Sequence, residues 1–269
     1  MFDDLDKPLL FAHRGASLRA PENTLEAFEL GARCGADVLE LDVRTSYDGQ
    51  VVVLHDADLA RTTNGQGPVT SHNYADLNKL DAGYRFQDTS GASLFRDKGV
   101  YVPLLEEVLR AFPRMGFNIE IKQANPPMVR PVLEIIERVG TKNILLAGSD
   151  DRVMDELEHQ APHMPLGLSI GRCKEILRGA YLGHIPDKYQ GRALQIPPRR
   201  YGVPVATKRL LRKAKEAGLV VHIWTINSPT AARKWLQRGV DGVMSDDPGP
   251  MAAVFADFRA KAAARTFQS

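Results

Sequence analysis

The chain of 269 residues lacks three things, and each absence removes a class of protein. No stretch approaches the roughly 18 consecutive apolar residues that a membrane-spanning helix needs. Cysteine is scarce: Cys34 and Cys173 stand far apart and outside any metal-ligand spacing. That excludes a disulfide framework and leaves two reduced, buried thiols as the expectation. Charge of one sign is missing as well, with 35 Lys+Arg against 33 Asp+Glu and a formal charge of +2. So close a balance gives no argument for nucleic acid, and no acidic tail suggests a cationic partner. The apolar run 9–12 is too short for a signal-peptide core and follows an acidic N-terminal stretch, so a cytoplasmic location is the default expectation. With 43% hydrophobic and 25% charged residues, disorder and coiled coil are poor overall readings.

What is present is alternation. Residues 9–12 read as a strand and 24–33 as a helix, with Leu25, Phe28 and Ala32 on one apolar stripe. Asn23 or Thr24 would cap it, and capping is the preferred reading of Asn23. A second strand over 37–43 runs through the turn Asp48-Gly49 into a hairpin partner over 51–54. Residues 56–102 are rich in Asp, Asn, Gly, Thr and Ser and show little periodicity. A structureless loop of that length is unusual, so an inserted subdomain or active-site cover with short local elements is expected.

Regular alternation then resumes, with helices over 104–112, 128–139, 152–160, 174–182, 208–217, 230–237 and 251–264. Between them lie strands over 117–122, 143–147, 166–170, 193–196, 219–226 and 242–244. Gly35, Gly218 and Gly239 recur between helix and strand, where glycine suits a helix end. Strand–helix alternation implies a parallel sheet, and eight units in one chain of this length match an α/β fold of the (β/α)8 TIM-barrel type, read as a single domain over 1–269. A doubly wound open sheet is the runner-up, but no G-x-G-x-x-G follows the first strand.

Four clusters carry chemistry. His13-Arg14-Gly15 directly follows the first strand, at the end where barrels place active sites. Histidine can move a proton near neutral pH and arginine can hold a phosphate or carboxylate, although such a triplet alone is more often a loop. Glu40 and Asp42 share one face of the second strand. Two carboxylates aimed into a barrel are expensive unless paired, either by salt bridges or by a divalent cation, and oxygen-only donors favour Mg2+ or Ca2+. Glu120 and Lys122 repeat the spacing on the next barrel strand, either as an internal ion pair or as a metal ligand beside an anion-binding ammonium. Three carboxylates on neighbouring strands make the metal reading the better one. His55-Asp56 closes the hairpin; a lone His there is usually a loop hydrogen-bonder. Paired with His13 beside a hard cation, it suits phosphate-ester hydrolysis, one imidazole taking a proton and the other giving one.

The string His13-Arg14-Gly15, Pro21-Glu22-Asn23-Thr24, Glu40-Leu41-Asp42-Val43, Asp48-Gly49 and Val53-Leu54-His55-Asp56 resembles the signature of the glycerophosphodiester phosphodiesterase family. Leu59 to Gly65, Pro103 to Leu109, Ile119-Glu120-Ile121-Lys122 and Trp224-Thr225-Ile226-Asn227 extend the resemblance over about 9–248. It implies a phosphatidylinositol-phosphodiesterase-like barrel with an insertion after the second strand, here 56–102. The implied activity is metal-dependent hydrolysis of small-molecule glycerophosphodiesters to glycerol 3-phosphate and an alcohol. By matching positions, His13 and His55 would be the acid–base pair. Glu40, Asp42 and Glu120 would bind one divalent cation, Mg2+ or Ca2+, and Arg14 and Lys122 would contact the phosphate. The first nucleophile, a neighbouring substrate hydroxyl or water, stays open.

Trp224 is a candidate substrate wall, with ordinary packing as its alternative. Ser169, Gln195 and Asp246 follow later strands and could face the mouth or be structural; Trp235 reads as core. The basic residues Arg199, Arg200 and Lys208 to Lys215 read first as a solvated surface, with attraction to phosphate or a lipid surface as the lesser reading. Two other functions share the fold: a phospholipase-D-type hydrolase of lysophospholipids, among which sphingomyelinase-D-like proteins generally lack the insertion, and a non-catalytic glycerophosphodiester-binding protein. No nucleic-acid partner and no stable membrane insertion are expected, and the sequence does not address oligomeric state.

Overall fold

A computed structural model describes Phe2 and residues 4–266; Met1 and Asp3 of the acidic N-terminal stretch lie outside the described residues. The strands are β1 (Leu9–His13), β2 (Val38–Thr45), β3 (Val51–Val53), β4 (Gly116–Ile121), β5 (Ile144–Ala147), β6 (Ala193–Ile196), β7 (Arg199–Arg200), β8 (Val203–Pro204), β9 (Val220–Ile223) and β10 (Gly242–Ser245). The helices are α1 (Leu25–Arg33), α2 (Tyr74–Leu77), α3 (Leu105–Ala111), α4 (Val129–Val139), α5 (Asp151–Gln160), α6 (Ile170–Leu182), α7 (Lys208–Glu216), α8 (Pro229–Gln237) and α9 (Gly249–Thr266).

Seven strands lie parallel in the order β5, β4, β2, β1, β10, β9, β6, and β3 pairs antiparallel with β2. The ring closes through one short segment. Leu146 N–H donates to Pro165 O at 3.0 Å and Gly167 N–H to Leu146 O at 2.8 Å, while Ala193 N–H donates to Leu166 O at 3.0 Å. Residues 165–167 thus bridge β5 and β6 as the eighth position of a TIM barrel. The strand expected over 166–170 is cut short because Ser169 caps α6 through Arg172 N–H, so that helix starts four residues before the expected Lys174.

Alternation of side chains along each strand sorts the core into layers. Leu39, Leu41 and Val43 point outward into a cluster with Phe28, Val108 and Val132. Burying each such side chain stabilises by roughly 1.5–3 kcal/mol. The opposite face of the same strands looks into the barrel. Its floor is apolar, with Leu9, Phe11, Val38, Leu145 and Met244, and the i, i+2 rule then lifts His13, Glu40 and Asp42 to the rim.

The segment after β3 has a small core of its own. Leu59, Val69, Leu77, Ala82 and Val100 pack with Val52 and Leu54 of the hairpin. Its local elements are short, a 3-10 turn at Val69–Ser71 and α2. Among the described residues no helix is long and apolar enough to cross a membrane.

Candidate active site

Strand register sets the geometry. His13 pairs with Glu40 across β1–β2, and Asp42 pairs with Glu120 across β2–β4. The carboxylates of Glu40, Asp42 and Glu120 bring ligand oxygens within 4.8 Å of one another. Asp42 and Glu40 are buried, at 1% and 3% exposure. Lys122 Nζ lies 3.0 Å from Glu120 and 3.5 Å from Asp42. Arg14 Nε lies 3.1 Å from Asp42, and its NH1 donates to Glu22 at 2.9 Å.

Charge crowding shows in the ionisation. Burial, then the Asp42 charge, pushes Glu40 up to about 7. Burial acts the same way on Asp42, but the Lys122 and Arg14 charges overcome it and hold Asp42 below the usual carboxylate range. The donor set is three oxygen anions against two cations, which fits one hard divalent cation better than a soft one.

The two histidines each lean on an aspartate. His13 Nδ1 lies 2.6 Å from Asp246 Oδ1, and because an ionised carboxylate only accepts, Nδ1 is the donor. Nε2 is left pointing toward Glu40, 4.0 Å away. Burial lowers the His13 pKa, but the Glu40 charge and the Asp246 hydrogen bond outweigh it, and the net shift is upward. Asp246 is fixed by Asn227, whose Nδ2 donates at 2.8 Å, and by Ser17 at 3.2 Å. His55 Nδ1 lies 2.5 Å from Asp56 Oδ1, and its carbonyl accepts from Arg44 Nε at 2.8 Å. Arg61, in the segment after β3, binds the other Asp56 oxygen and forks onto Glu22 with two bonds of 2.7 Å. Against the pull of burial, the hydrogen bonds from Arg61 and His55 hold Asp56 at about 2.

Backbone conformation explains the motif's spelling. Arg14 and Asn23 sit at φ 55° and 60°, in the left-handed region where non-glycine residues are uncommon. That turn lets Arg14 N–H donate to Glu40 Oε2 at 2.8 Å. At Gly15 a Cβ would lie 2.5 Å from the Ala27 carbonyl carbon, so only glycine lets α1 pack this close to the loop.

The structure therefore brings His13, His55, Glu40, Asp42, Glu120, Arg14 and Lys122 to one rim. Trp224 stands at the end of β9 and is 39% exposed. Asn23 is not the cap: Thr24 accepts from Ala27 N–H at 3.3 Å, while Asn23 Nδ2 donates to Asp42 at 2.9 Å. Asp246 joins the site, whereas Ser169 caps α6 and Gln195 binds Asn118 inside the barrel at 2.9 Å. Arg61 and Glu22 carried no local sequence signal for their mutual pairing. Both also line a cavity of about 390 Å³ with Ser17, Leu18, Pro21 and Phe86, between the loop after β1 and the segment after β3.

Two histidines and a cluster of carboxylates thus stand on the C-terminal rim of a TIM barrel. The chain matches the glycerophosphoryl diester phosphodiesterase family over residues 13–250 and belongs to that family of enzymes. It is 33% identical over 250 residues to a glycerophosphodiester phosphodiesterase of Bacillus altitudinis, covering 89% of this chain and 94% of that one. It is 28% identical over 264 residues to lysophospholipase D GDPD1 of Mus musculus, covering 88% of this chain and 82% of that one. Among solved structures, it is similar to an Oleispira antarctica phosphodiesterase in complex with the product sn-glycerol-3-phosphate. The TM-score is 0.75 at 26% identity, over 93% of this chain and 97% of that one.

Proposed function

We propose that this protein hydrolyses glycerophosphodiesters to glycerol 3-phosphate and an alcohol, using one divalent cation and a pair of histidines. The observation that carries this reading is the convergence of three carboxylates, two aspartate-anchored imidazoles and two cations on one rim. Glu40, Asp42 and Glu120 would hold the cation, Mg2+ or Ca2+. Bound there, it would offset the charge of the phosphoryl oxygens.

The chain's own groups supply the rest. Arg14 and Lys122 attract and orient the phosphate, each held at the rim by carboxylates. His13, whose pKa the Glu40 charge and the Asp246 hydrogen bond shift upward against burial, suits the general acid: it gives its proton to the alkoxide as the phosphorus–oxygen bond breaks. His55 takes a proton from the attacking oxygen, of water or of a neighbouring substrate hydroxyl, while Asp56 fixes its ring. Trp224 forms a wall for the substrate, and the cavity beside Glu22 and Arg61 has room for the alcohol portion. The whole chain acts as one catalytic unit with 56–102 as its insertion. The two free thiols, Cys34 and Cys173, support a reducing compartment such as the cytoplasm.

Phospholipase-D-type cleavage of lysophospholipids is a second reading, favoured by the likeness to the murine lysophospholipase D. Parallel assays on glycerophosphocholine and lysophosphatidylcholine separate the two. Glycerol 3-phosphate from the first substrate, with little choline from the second, supports the proposal. Choline from the second alone overturns it.

A further inference from the structure

The most isolated feature outside the site is a hairpin on the same end of the barrel. β7 and β8 follow the C-terminal end of β6, pairing Arg199 with Pro204 and Arg200 with Val203. Tyr201 and Gly202 turn the chain at φ 49° and 78°, a two-residue turn of the kind that joins tight hairpins. Arg199 NH1 donates to Gly202 O at 2.8 Å and braces the tip. Tyr201 is 92% exposed, and Val203 beside it is exposed as well. At the hairpin's base, Trp224 N–H donates to Ile196 O at 3.2 Å, which joins this feature to the rim of the candidate site.

The surroundings are basic. Residues 197–215 contain seven Lys/Arg and no Asp or Glu. Arg209 at the start of α7 donates to the carbonyls of Ala180 and Tyr181 at 3.0 and 2.6 Å. It thereby ties in the end of α6, where Leu182 is 80% exposed. Some surface cations elsewhere are paired, as Arg110 and Arg138 are on Glu106. Among the described residues, Arg199, Arg200, Lys208 and Arg209 have no carboxylate partner.

We propose that this hairpin and the adjoining starts of α7 and ends of α6 form a docking surface for an anionic lipid bilayer. Unpaired cations match a negative headgroup layer. Tyr201 offers an aromatic body with a polar tip, the combination that suits a membrane interface, and Val203 and Leu182 add aliphatic contact. A single-stranded nucleic acid matches the charge but has no use for exposed aliphatic tips, and it prefers aromatic platforms within a groove. Docked this way, the rim would face the lipid surface. The inference stands independently of which phosphodiester is cleaved.

Co-sedimentation of the full chain with vesicles tests it. The chain binds vesicles of phosphatidylcholine with phosphatidylglycerol, leaves pure phosphatidylcholine vesicles in solution, and releases at high salt. Arg199→Glu with Arg200→Glu weakens binding by about tenfold or more, and Tyr201→Ser with Val203→Ser weakens it too. Both variants keep the parent's hydrolysis of soluble glycerophosphocholine, which also reports their folding. Absence of binding to anionic vesicles, equal binding to neutral ones, variants that bind like the parent, or capture by single-stranded RNA in place of vesicles would each overturn the proposal.

Discussion

His13 and His222 both face the inside of the same barrel, and their surroundings drive them in opposite directions. His13 lies at the rim between Glu40 and Asp246, and its pKa is raised although burial pulls it down. His222 is fully buried one level below, and its Nδ1 lies 3.3 Å from the side-chain amide of Gln195. Burial, with a smaller push from Lys7, drives its pKa down to about 3. Burial alone does not set a histidine's charge; the carboxylates beside it do. The same contrast runs through the ring. The half formed by β1, β2, β4 and β10 brings the charges to the rim, while β6 and β9 bring Gln195, His222 and Trp224.

The largest effect should come from removing the rim imidazole. His13→Ala is expected to lower kcat by about 10²–10⁴-fold, while His222→Gln leaves kcat nearly unchanged. Equal losses in steady-state assays would erase the distinction between the two histidines. Asp246→Asn should cost kcat up to about 10²-fold through misplacement of the ring, with KM changed much less. A loss confined to KM would instead make Asp246 a substrate contact.

Gly15→Ala sharpens the comparison by moving the rim without removing any of its groups. Its φ of +83° and the 2.5 Å approach to Ala27 force a shift, expected to cost more than about 1 kcal/mol. Thermal denaturation should show a Tm lower by about 2–4 °C per kcal/mol; an unchanged Tm would mean the loop relaxes freely. His222 predicts a pH effect of fixed sign. Its folded pKa of about 3 lies below the unfolded value near 6.5, so below pH 6.5 the unfolded chain takes up the proton first. Its contribution is therefore complete above that pH and is lost as pH falls toward 3, by on the order of 1 kcal/mol per unit. Urea titrations of His222→Gln should show a flatter acid limb than the parent's, and parallel limbs would contradict the assignment. The smallest effect is expected at Trp224→Ala, a few-fold rise in KM at nearly constant kcat, the loss of a partly exposed ring contact.

How much of this could be read in the sequence follows from where each partner comes from. The i, i+2 spacing of Glu40 with Asp42, and of Glu120 with Lys122, places both pairs on inward faces once their segments are strands. The helix stripes and glycine junctions make those segments count to eight. His13–Asp246 is different, because the partners are 233 positions apart and meet only because β1 and β10 are neighbours in the closed ring. Arg61 reaches Glu22 and Asp56 from a segment without periodicity, so nothing local announced it. Asn23 was misread for a physical reason: the residue before a capping threonine looks like a cap, yet at φ 60° its amide turns to Asp42 instead. The strand expected over 166–170 ends early because Ser169 caps α6 and bonds Asp151, whose carboxylate fills the space a Cβ at Gly171 would take.

On the proposed reading, the charged side of the rim performs metal-dependent phosphodiester hydrolysis. Its most direct test is glycerol 3-phosphate release from glycerophosphocholine, measured for the parent and Glu40→Ala, before and after EDTA and after return of Mg2+ or Ca2+. The parent is expected to release product, EDTA to abolish the release and one of the cations to restore it, with Glu40→Ala inactive throughout. Release that survives EDTA, or that persists in Glu40→Ala, would contradict it.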